Sequence, residues 1–261
     1  MNREHVEDYI FPIGLFVLAI GGWEALVRIE NIPVYVLPSP SKIAVTLVED
    51  WDTLFRSLMV TLSITFEALF AAIVGGVSLA LAFRLWRPLE RAFFPFAVVM
   101  QVTPVISIAP LLLVYLSSST AVLVCAFLVA FFPILANTAL GLASADHNLI
   151  DLFELYGASK WQQLVLLRLP SALPYFLGGL RIGGGLALIG AIVAEIAAGS
   201  AGQGAGLAFR IVESGFQLNI PRMFAALFLI SVTGILIFVF FTGLSWLLLH
   251  RWHDSARGRE R

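Results

Sequence analysis

Apolar residues are gathered in six long runs along this chain, and shorter polar segments separate them. The runs cover residues 10–29, 58–83, 92–116, 120–144, 174–198 and 223–249. A helix that spans a bilayer needs about 20 mainly apolar residues, and each run reaches that length. The pattern therefore predicts an all-α membrane protein with six transmembrane helices.

Two longer connectors lie outside these runs. Residues 34–57 contain the motif LPSP, whose prolines break the chain before a short amphipathic helix, and residues 199–222 are glycine-rich and partly polar. Neither is apolar enough to span a bilayer. We therefore divide the chain into three parts, which are an N-terminal helix with its connector (1–57), a transmembrane domain (58–250) and a cytoplasmic tail (251–261).

Prolines and glycines refine the predicted bundle. Pro95, Pro104 and Pro110 are expected to kink or break the third span, and Pro133 the fourth. The segment GGLRIGGG places two glycines four residues apart, a spacing that lets helix backbones approach closely in lipid. The sequence thus predicts a tightly packed bundle with interrupted helices.

Composition agrees with membrane insertion and argues against an enzyme. Hydrophobic residues make up 59% of the chain and charged residues 13%, against roughly a quarter charged in soluble domains. The formal net charge of −1 gives no reason to expect a nucleic-acid partner. No phosphate-binding loop, HExxH, GxSxG or CxxC motif occurs, so neither catalysis nor a metal site is predicted. The single cysteine, Cys125, has no intrachain disulfide partner.

The basic residues predict the orientation. If the N-terminus is cytoplasmic, ten lysines and arginines fall inside and five outside, with Arg181 the sixteenth and unassigned. Cytoplasmic loops carry the excess of such residues. We therefore expect both termini in the cytoplasm.

Polar side chains inside the spans are candidates for function, because a charge at the bilayer centre costs at least about 2.5–3.5 kcal/mol. Gln101, Asn137 and Glu195 lie in predicted spans and are candidates for a polar solute path. The alternative is that they form hydrogen bonds that fix helix packing. Glu67 also lies in a span, and its role stays open.

The polar stretch DLFELYGASKWQQLVLLRLPSALP interrupts the chain between the fourth and fifth runs. A first short helix is predicted over 148–156, with an apolar face at helical spacing: Leu149, Leu152, Phe153 and Tyr156. Gly157 is expected to end it. Ser159, followed three residues later by Gln162, is a capping-box pattern for a second helix over 160–168.

We call residues 148–168 the elbow. Pro170 is predicted to end its second helix and Pro174 to open the next span. A pair of interfacial helices lying in the headgroups is one interpretation. However, the helix faces are only weakly basic and the bend has specific capping residues. The pattern therefore favours insertion of the elbow into a groove on another protein.

This stretch resembles the EAA loop of binding-protein-dependent ABC importer permeases. The loop's pattern is EAA, three residues, Gly, nine residues, Ile, one residue and Leu-Pro. With Gly157 as the anchor, Leu169 and Pro170 fall at the Leu-Pro end, and Leu167 takes the isoleucine place.

Counting back from the same glycine puts Asp151, Leu152 and Phe153 at the EAA positions. The acidic character is kept, while larger residues replace the two alanines. Further similarity to the nitrate/taurine/sulfonate branch covers most of the chain and includes LPSPS, ISIAPLLLVYL, FFPILANTALGL and AIVAEI. The chain departs from that branch at YLSSS, where a WFG-like sequence is usual.

The resemblance implies a type I, MetI-like permease bundle with cytoplasmic coupling helices, in the bacterial inner (plasma) membrane. It also implies a permease homodimer surrounded by membrane lipid, a cytoplasmic ABC ATPase and an extracytoplasmic substrate-binding protein. ATP would be bound by the ATPase, so no cofactor is expected in this chain. The coupling loop would comprise Asp151, Leu152, Phe153, Gly157, Ala158, Ser159, Trp161, Gln162, Leu169 and Pro170.

A stand-alone secondary transporter or channel is the alternative hypothesis. It would call for inverted repeats and paired intramembrane charges, and neither is evident in the sequence. The substrate stays open between nitrate, taurine or sulfonate-like anions and thiamine-precursor pyrimidines or riboflavin.

Overall fold

The computed structural model describes residues 3–199 and 204–250, with side chains from Phe11 onward, and the predicted tail 251–261 lies outside this part. Within these ranges every regular element is helical. In chain order the elements are α1 (Arg3–Ile29), α2 (Pro40–Glu49), α3 (Trp51–Leu85), α4 (Arg87–Val102), α5 (Val105–Tyr115), α6 (Ser118–Ala143), α7 (His147–Leu155), α8 (Lys160–Gln163), a π-helical turn (Leu164–Arg168), α9 (Leu169–Ala198), α10 (Leu207–Phe216) and α11 (Ile220–Leu249).

Five helical segments among the described residues are long and apolar enough to span a membrane: Phe11–Ile29, Trp51–Leu85, Ser118–Ala143, Lys160–Ala198 and Ile220–Leu249. The remaining predicted span is divided between α4 and α5, which meet at 100° and make a sixth crossing if the bent pair counts as one. The predicted all-α membrane protein is confirmed.

The break between α4 and α5 lies at Pro104, as the sequence predicts for one of its three prolines there. Thr103, the residue before it, is extended at φ −74° and ψ 123°, because a proline disfavours helical geometry in the preceding residue. Pro95 and Pro110 lie inside α4 and α5 without interrupting them.

The connector before the second span forms α2, the short helix that the LPSP motif predicts. Its N-cap is Ser39, whose hydroxyl accepts a hydrogen bond from the Lys42 amide at 3.3 Å. The Glu24 carboxyl group on α1 accepts hydrogen bonds from the Ser41 amide at 3.0 Å and the Ser41 hydroxyl at 2.8 Å. These bonds hold α1 to the start of α2.

The prediction for Pro170 is wrong, because the second elbow helix does not end there. Helix continues from Lys160 to Ala198 through the π-helical turn. Within that turn the Leu169 amide donates to the Leu164 carbonyl five residues before it. This wider winding accommodates a proline ring that would clash with the preceding turn of an α-helix. Pro174, predicted to open the span, lies inside α9.

The core is built where α6 packs against both α3 and α9. Glycines of α9 allow the close approach that their spacing predicts. A Cβ atom at Gly179 would lie 2.8 Å from the Asn137 Cβ, and one at Gly183 would lie 2.9 Å from the Ile134 Cγ1. The predicted tight packing is confirmed at both positions.

Candidate functional site

The first helix of the elbow, α7, ends in a Schellman motif centred on Gly157. The Gly157 amide donates to the Glu154 carbonyl and the Ala158 amide to the Phe153 carbonyl, each at 2.9 Å. Gly157 has φ +69°, in the left-handed region that glycine adopts without a steric penalty. The predicted end of the first helix at Gly157 is therefore confirmed.

The second helix of the elbow begins with the predicted capping box. The Ser159 hydroxyl accepts from the Gln162 amide at 3.2 Å, and the Gln162 side-chain oxygen accepts from the Ser159 amide at 2.8 Å. Only one residue, Ala158, separates the left-handed glycine from this box. Both sides of the bend are thus closed by specific hydrogen bonds.

The two halves of the elbow differ in how firmly they join the bundle. α7 has no buried residue, whereas Leu164, Leu167 and Arg168 in the π-helical turn are all buried. Arg168 Nη1 donates to the Leu142 carbonyl at the end of α6 at 3.2 Å. The second half is therefore anchored, and the first projects from the bundle.

Most predicted coupling-loop residues are exposed, and two of them, Phe153 and Ala158, are half-buried. Large apolar side chains are prominent on this surface. Leu155 is 84% exposed, Tyr156 83% and Trp161 66%. The elbow thus presents an apolar and aromatic surface next to a fixed bend.

Glu195 lies at the far end of α9, where its buried carboxyl group joins three helices. One oxygen accepts from the Thr61 hydroxyl of α3 at 2.8 Å, and the other from the Ala208 amide of α10 at 3.1 Å. Thr61 in turn accepts from the Leu207 amide at 2.9 Å. Gly206, the N-cap of α10, provides no side-chain cap, and a Cβ atom there would overlap the Glu195 carboxyl group.

Glu67 and Glu195 line the same cavity of about 480 Å³ between α3, α6 and the start of α10. Ser63, Ser118 and Ser119 add hydroxyl groups to its wall. Glu67 is exposed in the single chain, near the middle of α3. An acidic, hydroxyl-rich cavity therefore opens beside a span.

The other two candidates for a solute path lie elsewhere. Gln101 lines a mainly apolar cavity of about 540 Å³ with Thr103 and Pro104. Asn137 donates to the Pro133 carbonyl of its own helix at 2.8 Å and packs beside Gly179. The three candidates have three different surroundings, and their part in a path stays a prediction.

The sequence interpretation missed Thr61 and the whole of α10. A signal for Thr61 exists, because Ser57, Thr61 and Thr65 recur every four residues in an apolar helix and all are buried. A hydroxyl stripe at helical spacing indicates a face that packs against other helices.

These features define a polytopic helical membrane protein with a broken span and a capped, exposed elbow. The family model for the binding-protein-dependent transport system inner membrane component matches residues 72–251. The chain belongs to this family. It is the transmembrane permease subunit of an ABC importer and not an enzyme, as the resemblance implies.

Relatives support the same conclusion over nearly the whole chain. The formylaminopyrimidine transport permease protein ThiX of Halalkalibacterium halodurans is 37% identical over 243 residues, which cover 91% of this chain and 94% of ThiX. The riboflavin transport system permease protein RibX of Chloroflexus aurantiacus is 33% identical over 253 residues, which cover 94% of this chain and 90% of RibX.

The solved structure of the MetNI methionine ABC transporter in an inward-facing conformation supports the fold. It aligns with a TM-score of 0.63 at 21% identity, covering 74% of this chain and 94% of the matched chain. The predicted MetI-like permease bundle is confirmed.

Proposed function

We propose that the elbow docks a cytoplasmic ABC ATPase and transmits its movement to the bundle. The observation that supports this most directly is the doubly capped bend between α7 and α8. A bend fixed by a Schellman motif and a capping box passes on a displacement that a loose loop would absorb. The anchoring of Leu164 and Leu167 in the bundle carries that displacement further.

The exposed side of the elbow is suited to a protein partner. Leu155, Tyr156 and Trp161 are large, apolar or aromatic and mostly exposed in the single chain. Aromatic anchors are frequent among the residues that dominate protein interfaces. In this proposal they enter a groove of the ATPase, while ATP itself is bound by that partner.

The same proposal sets the orientation. The elbow and both chain termini are cytoplasmic, and the polar connectors near Arg56 and Arg222 face the other side. The excess of lysines and arginines in the predicted inside segments supports this orientation. The binding protein then delivers the solute on the side of α2 and α10.

We also propose that two copies of this chain form the permease, as the family resemblance implies. Glu67 supports a second copy, because it is exposed in the middle of a span. A carboxyl group at that depth is costly in lipid and is stable only against protein or water. A second copy that encloses a watery path beside Glu67 provides both.

For the solute we propose a neutral compound rich in N–H donors, such as a nitrogen heterocycle. ThiX and RibX are named for formylaminopyrimidine and riboflavin, which both contain such rings. The acidic cavity with Glu67, Glu195 and hydroxyl side chains offers hydrogen-bond acceptors. An anion such as nitrate or a sulfonate would be repelled there.

The coupling proposal is tested at Gly157, where a side chain would meet no atom within 4 Å. Within the chain, an effect of substitution therefore arises from the backbone, and an asparagine at the same position reports any clash of a side chain with the ATPase. Gly157→Val forces a β-branched residue to φ +69°, at a strain of about 1–3 kcal/mol. Gly157→Asn is the matched control, because asparagine tolerates this conformation.

The assay is ATP hydrolysis by the reconstituted permease and ATPase, stimulated by the substrate-loaded binding protein. We expect Gly157→Val to insert normally but to lose most of the stimulation, and Gly157→Asn to stay near wild type. A fully coupled Gly157→Val transporter would contradict the role of the bend. Transport without any ATPase would instead favour the stand-alone transporter.

The solute proposal needs a separate measurement. Calorimetric titration of the cognate binding protein with aminopyrimidines, riboflavin, taurine and nitrate is expected to give tight binding only for a heterocycle. Tight binding of taurine or nitrate alone would refute it.

A further inference from the structure

A strongly basic cavity lies where the end of α3 and the start of α4 meet the elbow. It has a volume of about 340 Å³. Four of its lining residues are cations, namely Arg84, Arg87, Lys160 and Arg168, and Glu154 is the one acidic residue in the lining. The cavity therefore concentrates positive charge between the bundle and the elbow.

These four cations lack the ion pairs that most other cations form in the described part of the chain. None of them forms an ion pair among the described residues, whereas five other cations have a carboxylate partner within 3.8 Å. The paired cations are Arg28, Lys42, Arg56, Arg210 and Arg222. Like charges that share a recess repel one another, so an anion there would be bound favourably.

Arg168 makes the strongest case for an anion in this recess. It is only 7% exposed, and its one hydrogen bond within the described residues runs from Nη1 to the Leu142 carbonyl. A guanidinium group has five N–H donors, and no Arg168 nitrogen is among the buried side-chain atoms without a partner in the described residues, so its remaining donors open onto the cavity. A phosphate oxygen in the cavity would supply acceptors.

The start of α4 contributes to this charge through a side chain. Arg87 is the first residue of the helix. Pro88 follows it and has no N–H group, and the Leu89 amide already donates to the Trp86 carbonyl at 3.0 Å. The cationic side chains, rather than the helix amides, therefore select an anion.

The residues around the cavity indicate which phosphate-bearing ligand fits it. Leu85 and Trp86 lie beside it and are each 60% exposed, and Leu166 is 64% exposed on the nearby π-helical turn. Tryptophan is enriched at the membrane–water interface. A ligand with a charged head and apolar tails fits a basic recess next to such side chains.

We propose that this cavity binds the headgroup of an anionic phospholipid, with its acyl chains along the adjacent apolar surface. Basic pockets between transmembrane helices bind such headgroups in other membrane proteins. The site joins Arg84 and Arg87 of the bundle to Lys160 and Arg168 of the elbow. The bound lipid therefore braces the elbow. This inference rests on the membrane-spanning bundle and does not depend on ATPase docking.

The test is native mass spectrometry of the full-length permease with phosphatidylglycerol, phosphatidylcholine or inorganic phosphate. Wild type is expected to retain phosphatidylglycerol in preference to phosphatidylcholine. Arg87→Gln should weaken phosphatidylglycerol binding about fivefold, and the double variant Arg84→Gln/Arg87→Gln about 30-fold. Arg91→Gln is the matched control, because it lies one turn along α4, is exposed and does not line the cavity.

Three results would overturn the proposal. They are equal retention of the two lipids, equal losses for Arg87→Gln and Arg91→Gln, and full displacement of the lipid by inorganic phosphate. Lys160→Gln is a second variant, and because Lys160 is exposed its replacement is expected to leave folding unchanged. It should also weaken phosphatidylglycerol binding, and unchanged binding would count against the site.

Discussion

The hydroxyl group of Thr61, on α3, forms one hydrogen bond to α9 and one to α10, and the contact between the three helices depends on it. Thr61 is fully buried, donates to Glu195 at 2.8 Å and accepts from the Leu207 amide at 2.9 Å. Thr61→Val keeps nearly the same shape and removes both bonds. The variant leaves a carboxyl oxygen and a backbone N–H group buried without these partners.

The cost follows from those two groups. A buried polar group left without its partner costs about 1–3 kcal/mol, and loss of a helix N-cap costs about 0.5–2 kcal/mol. The carboxyl group keeps its bond from the Ala208 amide, which limits the loss. We expect Thr61→Val to destabilise the bundle by about 2–4 kcal/mol.

The chain carries its own reporter for this measurement. Cys125 is the only cysteine and is fully buried in α6, in a cluster that includes Ala194, the neighbour of Glu195. A fluorogenic thiol reagent should therefore label it only when the bundle opens on heating. At about 2–4 °C per kcal/mol, the labelling midpoint of Thr61→Val should fall by roughly 4–16 °C.

Thr65→Val is the matched control. Thr65 is also fully buried one turn further along α3, but its hydroxyl donates to the Thr61 carbonyl of the same helix at 2.7 Å. Its loss should cost less than about 1 kcal/mol. Equal midpoints for the two variants would refute the argument that the contact between helices carries the stability.

Two further substitutions test packing and charge in the same labelling assay. Gly190→Ala places a Cβ atom 2.9 Å from the α6 backbone and should destabilise the bundle by about 1–3 kcal/mol. Its control, Gly185→Ala, meets nothing within 4 Å and should be neutral or slightly stabilising. A larger destabilisation by Gly185→Ala than by Gly190→Ala would contradict the packing. Arg222→Lys loses the bidentate pair with Asp50 at 2.6 and 2.9 Å and should cost about 1–2 kcal/mol. Its control, Arg56→Lys, changes an exposed pair and should alter stability by less than about 0.5 kcal/mol. Equal destabilisation by Arg222→Lys and Arg56→Lys would contradict a stabilising role for the bidentate pair.

Features that depend on neighbouring residues were predictable from the sequence. The capping box at Ser159, the left-handed Gly157 and the break at Pro104 each follow from the chemistry of a few consecutive residues. The apolar runs placed the spans to within several residues at most ends because each run is a continuous apolar segment of about 20 residues or more, bounded by polar residues.

Features that depend on distant contacts were not predictable. Glu195 could be assigned to a path or to packing, because its partner Thr61 lies 134 residues away in the sequence. α10 was missed since it begins in a glycine-rich segment and takes its cap from Glu195 instead of a neighbour. The error at Pro170 has a similar cause, because proline statistics alone give no sign that a π-helical turn accommodates the ring.

The error at Pro170 matters for the proposed mechanism. A helix broken there would leave a joint between the elbow and the fifth predicted span. Instead, 39 residues run without interruption from Lys160 to Ala198, which is about 58 Å at 1.5 Å per residue. The elbow lies at one end of this rod, and Glu195, which caps α10 and lines the acidic cavity, lies near the other. Under the proposed coupling, a tilt imposed on the elbow therefore reaches the cavity as a movement of α9 and α10 together.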